Sequence, residues 1–592
     1  MMVEPSSAFY KRLVVASIAM MLLGSLLAYL VLTDFGNVKV TEVRFYGTSG
    51  ELLTAWLFVP STATPQTPAP GILAIHGYNN QRDFMTNTAI ELARRGYVVL
   101  VLDMTGHGFS EGSVYAFSFG APSALNYLRN LAYVDKENIG LVGMSMGGWA
   151  IQAAALANPT GYKAMFYMDS YVRPPEVAKN LRNVAIQMAL ADEFTAAWLL
   201  VPTGWQAPKS PVLKTIFNVT EDIVPGKVYG SIEKGTARVL YQPWINHPQS
   251  TDDPTTMQNV IEWFSMTLKG GKPIPKENLV FQWKVLGTAI ALVGAFLFLF
   301  AFGGYLLETS FFSELKEPMP EYKGLRGIPY IVGAVIATAI PPLLYLYGWV
   351  TLPTILSLDS TLLPLGIANR YLAWSLLVAL VTLVIIYLTH RLQLRKHGAT
   401  TDNYGLTWAG KVDFRKVAKS FLLAVAVLAP LYVILAYSYS IFKVPFACWL
   451  ISLRPMSWTR FLAFLAYLIP FAPFYLTLNV LLAGFIRPKA GATTTAKEML
   501  VDSVVLAAGS IIFLLWYYIP LYAGMVPPLS ATYDVLAMIY YIPIPVFNVL
   551  TACLTAFYFR KTGRVYAAFF LQLLFFAWYH AAFSVFHVPA LP

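Results

Sequence analysis

A serine held between glycines is the first feature of this chain that could do chemistry. Residues 143–147 read Gly-Met-Ser-Met-Gly, after an apolar run and before an alanine-rich one. A G-x-S-x-G pattern between a strand and a helix predicts a sharp turn that projects the hydroxyl of Ser145 into a cleft. The small residues Gly143, Gly147 and Gly148 leave room for such a turn. The alternative is a turn of small residues without chemistry.

A serine nucleophile needs a base, and the position of the histidines narrows the choice. Only His247 lies between Ser145 and the apolar half of the chain, directly after a predicted strand. The base follows the acid in chain order in triads built on this turn. Asp222, after the apolar run 212–219, is therefore the preferred acid. The alternatives left open are Asp169, Glu221 and Glu233.

The oxyanion formed by such a nucleophile needs two backbone donors. The N–H of Met146 directly follows the serine. The N–H of Tyr78 comes from a loop that Gly77 allows to approach closely. We expect His76 to order that loop rather than take part in chemistry.

Composition divides the chain into a globular part and a membrane part. Of the 592 residues, 57% are hydrophobic and 12% are charged. We predict an N-terminus and uncleaved signal anchor at 1–33, a globular domain at 34–280 and a polytopic helical domain at 281–592, with about nine spans in total. Most Lys and Arg residues of the short loops fall on one side, which predicts a cytoplasmic N-terminus and an extracytoplasmic globular domain.

The globular domain alternates strands with helices, which predicts an open, mostly parallel α/β sheet flanked by helices. Residues 212–219 fit a strand, and residues 171–207 fit a small helical cap. The net charge is +11, but the basic residues lie in short loops between apolar spans, where membrane topology accounts for them. Nucleic acid is therefore not an expected partner. No metal or cofactor motif is present, and the glycine-rich turn 103–112 lacks the lysine of a phosphate loop.

Several of these motifs together are similar to a known superfamily. His76-Gly77, the turn 103–108, the serine turn 143–148, Asp222 with 223–225, and His247 resemble the α/β-hydrolases, over about residues 38–270. The branch that looks most similar contains dienelactone hydrolases and prolyl-oligopeptidase-like peptidases. The resemblance implies an acyl-enzyme mechanism with Ser145, His247 and Asp222. The membrane domain resembles no family that we recognise.

The expected function is hydrolysis of an ester, of a lipid or a lipid-linked acyl group, at the extracytoplasmic membrane face. A serine peptidase, an acyltransferase with the same triad, and a transporter with a ligand-recognising domain are the alternatives. Expected partners are a small-molecule or lipid ester and membrane lipids, while the oligomeric state stays open. In the membrane domain, His580 is the candidate for a polar role inside a span.

Overall fold

A computed structural model describes residues 7–116, 118–488 and 494–589. The start of the predicted cytoplasmic N-terminus, residues 1–6, lies outside the described residues. An eight-stranded sheet follows the first helix, α1 (Ser7–Leu32). The strands are β1 (Val38–Tyr46), β2 (Leu52–Pro60), β3 (Ala69–Ile75), β4 (Val98–Leu102), β5 (Val134–Met144), β6 (Ala164–Met168), β7 (Val184–Gln187) and β8 (Arg238–Tyr241).

The sheet has the order β1-β2-β4-β3-β5-β6-β7-β8. Strands β3 to β8 pair in parallel, whereas β2 is antiparallel to both of its neighbours. The central strands are buried along their whole length, as expected for apolar runs that helices cover on both faces. These helices are α2 (Thr86–Arg94), α3 (Ala121–Arg129), α4 (Met146–Ala157), α5 (Thr195–Leu199), α6 (Pro211–Phe217) and α7 (Pro254–Thr267). The predicted α/β-hydrolase fold class is confirmed.

Two predicted elements differ from the structure. The apolar run 212–219 is not a strand, because Ser210 caps a helix there by accepting from Leu213 N–H at 3.2 Å, and Pro211 occupies its first turn. The segment expected to form a small helical cap contains α5 but also β7, which is fully buried inside the sheet. These two corrections change which carboxylate can reach His247.

Nine helical segments of the described residues are long and apolar enough to cross a membrane. They fit a multi-pass membrane protein, and their number agrees with the prediction. After the sheet the helices are α8 (Phe281–Leu307), α9 (Ile328–Leu343), α10 (Leu352–Ile355), α11 (Gly366–Leu392), α12 (Phe414–Phe442), α13 (Trp458–Val480), α14 (Thr495–Tyr522), α15 (Thr532–Tyr541), α16 (Ile544–Thr562) and α17 (Tyr566–Phe583). We call residues 281–589 the helical half.

Helices α1 and α8, which flank the sheet in the chain, pack closely through glycines. A Cβ added at Gly24 would lie 2.5 Å from Gly287 O, and one at Gly287 would lie 2.6 Å from Gly24 O. Small residues let helix backbones approach in this way inside a membrane. We call residues 38–267 the sheet-containing part. The contact between α1 and α8 holds the two ends of this part together.

The segment after α17, residues 584–589, packs against the sheet-containing part, and we call it the tail. Phe586 donates its N–H to Gly106 O at 3.0 Å and accepts from Val114 N–H at 2.9 Å. On its other side, Val585 O accepts from Gly366 N–H at the start of α11, at 3.1 Å. The tail therefore joins loops at the carboxyl edge of the sheet to the helical half.

A buried ion pair also joins the two parts. The guanidinium of Arg454, in the loop between α12 and α13, donates to Asp83 Oδ2 at 2.8 and 3.0 Å. Both side chains are almost completely buried, at 0% and 4% exposure. Removing one partner of such a pair leaves an unpaired charge in a low-dielectric region.

We therefore expect Arg454→Met to lower the free energy of unfolding by about 3–5 kcal/mol. The measurement is the midpoint of thermal unfolding of the full chain in detergent. Arg44→Met is the matched control, because Arg44 pairs with Glu42 at 2.8 Å but is 60% exposed. The control change should cost no more than about 1 kcal/mol. Equal midpoints for the two variants would contradict an energetic role for the buried pair.

Candidate active site

Ser145 occupies the turn between β5 and α4 in a conformation that side-chain-bearing residues seldom adopt. Its φ is 54° and its ψ is −121°. A Cβ at Gly143 would lie 2.1 Å from Gly147 O, and one at Gly147 would lie 2.3 Å from Ile75 O, so both positions need glycine. A Cβ at Gly148 would lie 2.2 Å from the hydroxyl of Ser170. The sequence context therefore produces a strained strand–turn–helix corner with the serine at its tip.

His247 follows β8 and is held by a carboxylate that the sequence did not single out. Its Nδ1 donates to Asp192 Oδ2 at 2.6 Å, and Asp192 lies just beyond β7. A parallel bridge between Ala191 and Asn246 extends the β7–β8 pairing and places the next residue of each strand side by side. With Nδ1 protonated, Nε2 of His247 is a proton acceptor.

Burial and three carboxyl groups act on the pKa of His247 in opposite directions. Burial lowers the pKa, but the carboxylate of Asp192 raises it, with smaller contributions from Asp169 and Glu193, and the net direction is upward. Burial raises the pKa of Asp169 to about 7, and the charge of Asp192 acts in the same direction. The pKa of Glu193 is likewise raised to about 7, first by burial and then by Asp192. Both Asp169 and Glu193 therefore lose their protons less readily than an exposed carboxyl group does.

The structure does not bring Asp222 to His247, so this part of the prediction is corrected. Asp222 is 57% exposed and forms an ion pair with Lys214 at 2.8 Å. The assignment assumed a strand at 212–219 that would deliver Asp222 to the sheet edge, and this segment is α6. The alternative Asp169 lies near the site but bonds Ser250 and the Ala189 N–H. The other two alternatives, Glu221 and Glu233, have pKa values lowered mainly by hydrogen bonds to nearby backbone.

The loop after β3 approaches Ser145 as its glycine suggests. A Cβ at Gly77 would lie 3.0 Å from the Cβ of Ser145. Tyr78 and Met146 both line the cavity that contains Ser145, and neither backbone N–H bonds another described residue. His76 lies behind the loop, where its Nε2 accepts from Met104 N–H at 3.2 Å and its Nδ1 donates to Gly77 O at 2.8 Å. His76 is thus hydrogen-bonded both within this loop and to the segment after β4.

Ser145 and His247 open onto a cavity of about 860 Å³ that both parts of the chain line. The sheet-containing part contributes an aromatic wall beside His247, with Phe194 at 4.7 Å and Trp198 at 5.5 Å between ring centroids. The hydroxyl of Ser145 forms no hydrogen bond with the described residues, His247 included. The helical half contributes residues from its helices and loops, among them Asp359, Arg370, Tyr533, Leu536, Tyr540 and His587.

A second histidine reaches this cavity from the tail, and sequence analysis did not anticipate it. His587 Nδ1 donates to Asp359 Oδ2 at 2.7 Å, and its Nε2 accepts from the hydroxyl of Tyr78 at 2.6 Å. The tail places His587 there through the backbone bonds of Val585 and Phe586. His580, the candidate for a polar role inside a span, packs against Phe471 and Tyr371 and is not among the residues that line this cavity.

The sequence before Asp192 has the pattern of a buried strand, but this segment was predicted to form a helical cap. The run Val184–Gln187 is short, apolar and followed by Asp192-Glu193, which is the pattern of a buried strand with polar residues at its carboxyl end. Asp359 and His587 have no such local signal, because 228 positions separate them along the chain.

Comparisons with known proteins agree with this fold. Residues 72–264 match the model of the alpha/beta hydrolase family. An uncharacterized protein, YfhR of Salmonella typhi, is 26% identical over 133 residues, which are 22% of this chain and 45% of that protein. The chain thus spans less than half the length of the curated relatives it matches.

Solved structures give two further likenesses. An esterase of Pyrococcus furiosus has 15% identity and a TM-score of 0.30, over 40% of this chain and 94% of the esterase. A dienelactone hydrolase from Anabaena variabilis has 15% identity and a TM-score of 0.28, over 39% of this chain and all of that one.

The two aspartates make a matched test of the site. We expect Asp192→Asn to slow covalent labelling of Ser145 by a fluorophosphonate by roughly 10⁴-fold, because His247 would lose the group that fixes its tautomer. Asp222→Asn should leave the rate unchanged, since its exposed carboxylate pairs with Lys214 and not with His247. The rate is followed by gel fluorescence over time. Slow labelling after Asp222→Asn with normal labelling after Asp192→Asn would reverse this assignment.

Proposed function

We propose, for a chain whose residues 72–264 match the alpha/beta hydrolase family, that this protein is a membrane-bound serine hydrolase acting on a carboxylic ester. Ser145 is the nucleophile, His247 the general base and Asp192 the group that orients the base. The observation that carries the proposal is the arrangement at the cavity. A strained serine and a buried histidine line it together, and the histidine donates to a carboxylate at 2.6 Å.

In the proposed reaction, the hydroxyl oxygen of Ser145 attacks the ester carbonyl and its proton passes to His247 Nε2. The N–H groups of Met146 and Tyr78 donate to the oxyanion that forms. Collapse of this intermediate breaks the ester bond, and His247 returns the proton to the departing alcohol. Water then attacks the acyl-enzyme with His247 again as base, which releases the acid and restores Ser145. The Ser145–His247 hydrogen bond forms as substrate fills the cavity.

The cavity supports an ester with a large apolar part. Aromatic rings stand beside His247, and helix α15 supplies Leu536 and Tyr540 to the same cavity. Such a wall favours a lipid or a lipid-linked acyl group over a small polar ester. The charge asymmetry of the loops supports action at the extracytoplasmic face. A peptide substrate is the second candidate, because a cation and a carboxylate lie in the same cavity and could hold peptide termini.

The activity is tested by labelling and turnover of the full chain in detergent. We expect wild type to react with a fluorophosphonate and to hydrolyse p-nitrophenyl acyl esters, and Ser145→Ala and His247→Ala to lose both activities. Ser170→Ala is the matched control, since Ser170 is a buried serine beside Gly148 that does not line the cavity. An unlabelled wild type beside a reactive control hydrolase would refute the proposal. Cleavage of peptides but not esters would favour the peptidase.

The pH dependence follows from the charge around His247. Because the neutral imidazole is the active base and its pKa is raised, we expect kcat/KM to rise with pH along a limb whose midpoint lies above 6.5. Asp192→Asn should move this limb to lower pH, since burial then acts on the pKa without its main opponent. Both profiles are measured with one ester whose own ionisation is constant over the range. A limb that stays in place after Asp192→Asn would show that another group titrates.

A further inference from the structure

An arginine lines the cavity on the side of the helical half, and most of its N–H groups have no hydrogen-bond acceptor among the described residues. Arg370, in the first turns of α11, stands between the rings of Trp349 and Tyr533, at 4.9 and 5.0 Å from their centroids. It donates to Trp349 O at 3.1 Å. A guanidinium has five N–H donors, and Arg370 forms no ion pair within the part of the chain that the structure describes.

The carboxylate in the same cavity is occupied by other partners. Asp359 accepts from Asn369 Nδ2 at 2.7 Å through one oxygen and from His587 Nδ1 at 2.7 Å through the other. Burial raises the pKa of Asp359, but the hydrogen bonds from His587 and Asn369 and the nearby charges of His587 and Arg370 lower it, and the net direction is downward. Asp359 therefore stays ionised and tied to His587. It reduces the positive potential near Arg370 but does not contact the guanidinium.

The aromatic neighbours prepare Arg370 to bind a ligand. Two rings hold the planar group by cation–π contact and limit the water around it. A guanidinium that lines a cavity and keeps free N–H groups can bind the two oxygens of a carboxylate or a phosphate. Ser145 lines the same cavity on the side of the sheet, so one molecule can reach both groups.

We propose that Arg370 binds an anionic group, a carboxylate or a phosphate, on the same substrate whose ester is attacked by Ser145. The inference rests on the proposed function and names its substrate class. The substrate is an amphipathic ester with an apolar part against the aromatic wall and a negative charge at the helical end. Specificity thus comes from the helical half, while the chemistry comes from the sheet.

The test compares two esters that differ only in charge, with the full chain in detergent. One is a p-nitrophenyl monoester of a linear dicarboxylic acid, and the other is the same molecule with its free acid capped as a primary amide. We expect Arg370→Gln to lower kcat/KM for the anionic ester by about 10- to 100-fold, as for loss of a charge-assisted hydrogen bond. The capped ester should change by less than about threefold. Arg370→Lys keeps the positive charge but loses the planar pair of donors. Its kcat/KM for the anionic ester should therefore lie between the values of wild type and Arg370→Gln.

Arg173 supplies the matched control. Its guanidinium also lies over a tryptophan ring, that of Trp149 at 5.5 Å, but Arg173 does not line the cavity. Arg173→Gln should leave both esters unchanged. If wild type hydrolyses both esters and Arg370→Gln affects them equally, the anion site is refuted while the proposed hydrolase stands.

A binding measurement separates this inference from the catalytic proposal. Calorimetry with Ser145→Ala reports affinity for an alkyl phosphate, an alkyl carboxylate and a neutral alkanol, with no need for turnover. We expect the anions to bind at least tenfold more tightly than the alkanol, and this preference to vanish when Arg370→Gln is added. Whichever of the two anions binds more tightly shows whether the site prefers a phosphate or a carboxylate. Equal affinity for all three would overturn the inference even if ester hydrolysis is found.

Discussion

The backbone pairing of the tail is the constraint on which the arrangement of the site depends. Phe586 bonds Gly106 and Val114 in the loops of the sheet, while Val585 bonds Gly366 at the start of α11. Buried N–H and C=O groups must find such partners, so a shift of the tail would leave several of them unpaired. The tail thereby links the loops at the carboxyl edge of the sheet to the helical half. The cavity exists because the two parts meet in this register.

The loop that carries His247 is also held from both sides. Glu193 accepts from the backbone N–H of His247 at 2.8 Å and, through its other oxygen, from the hydroxyl of Tyr518 on α14 at 2.8 Å. Gln249 in the same loop accepts from the hydroxyl of Tyr522 at 2.6 Å. Helix α14 thus covers the histidine loop and contributes to the burial that acts on the pKa of His247. On the proposed function, a movement of α14 would reach the base directly.

The sequence predicted those features that depend on local pattern. The serine turn, the position of His247 and the alternating sheet follow from apolar periodicity and from glycines where a Cβ would clash. Asp222 was chosen wrongly because an apolar run of eight residues fits either a strand or a helix, and the capping by Ser210 decided for the helix. Asp192 was missed because the four-residue β7 was assigned to a cap. The cluster around His587 depends on tertiary contacts, which one sequence does not reveal.

The shared cavity explains why an anchor alone does not account for the helical half. An anchor would need one span, yet Asp359, Arg370 and Tyr533 enter the cavity from three different segments of this half. Holding these groups near Ser145 requires several helices in a fixed packing, because each loop needs support at both ends. On the proposed function, the helical half is the specificity subsite of the enzyme. A lipid ester fits this division, since its apolar part comes from the bilayer while its charge remains at the surface.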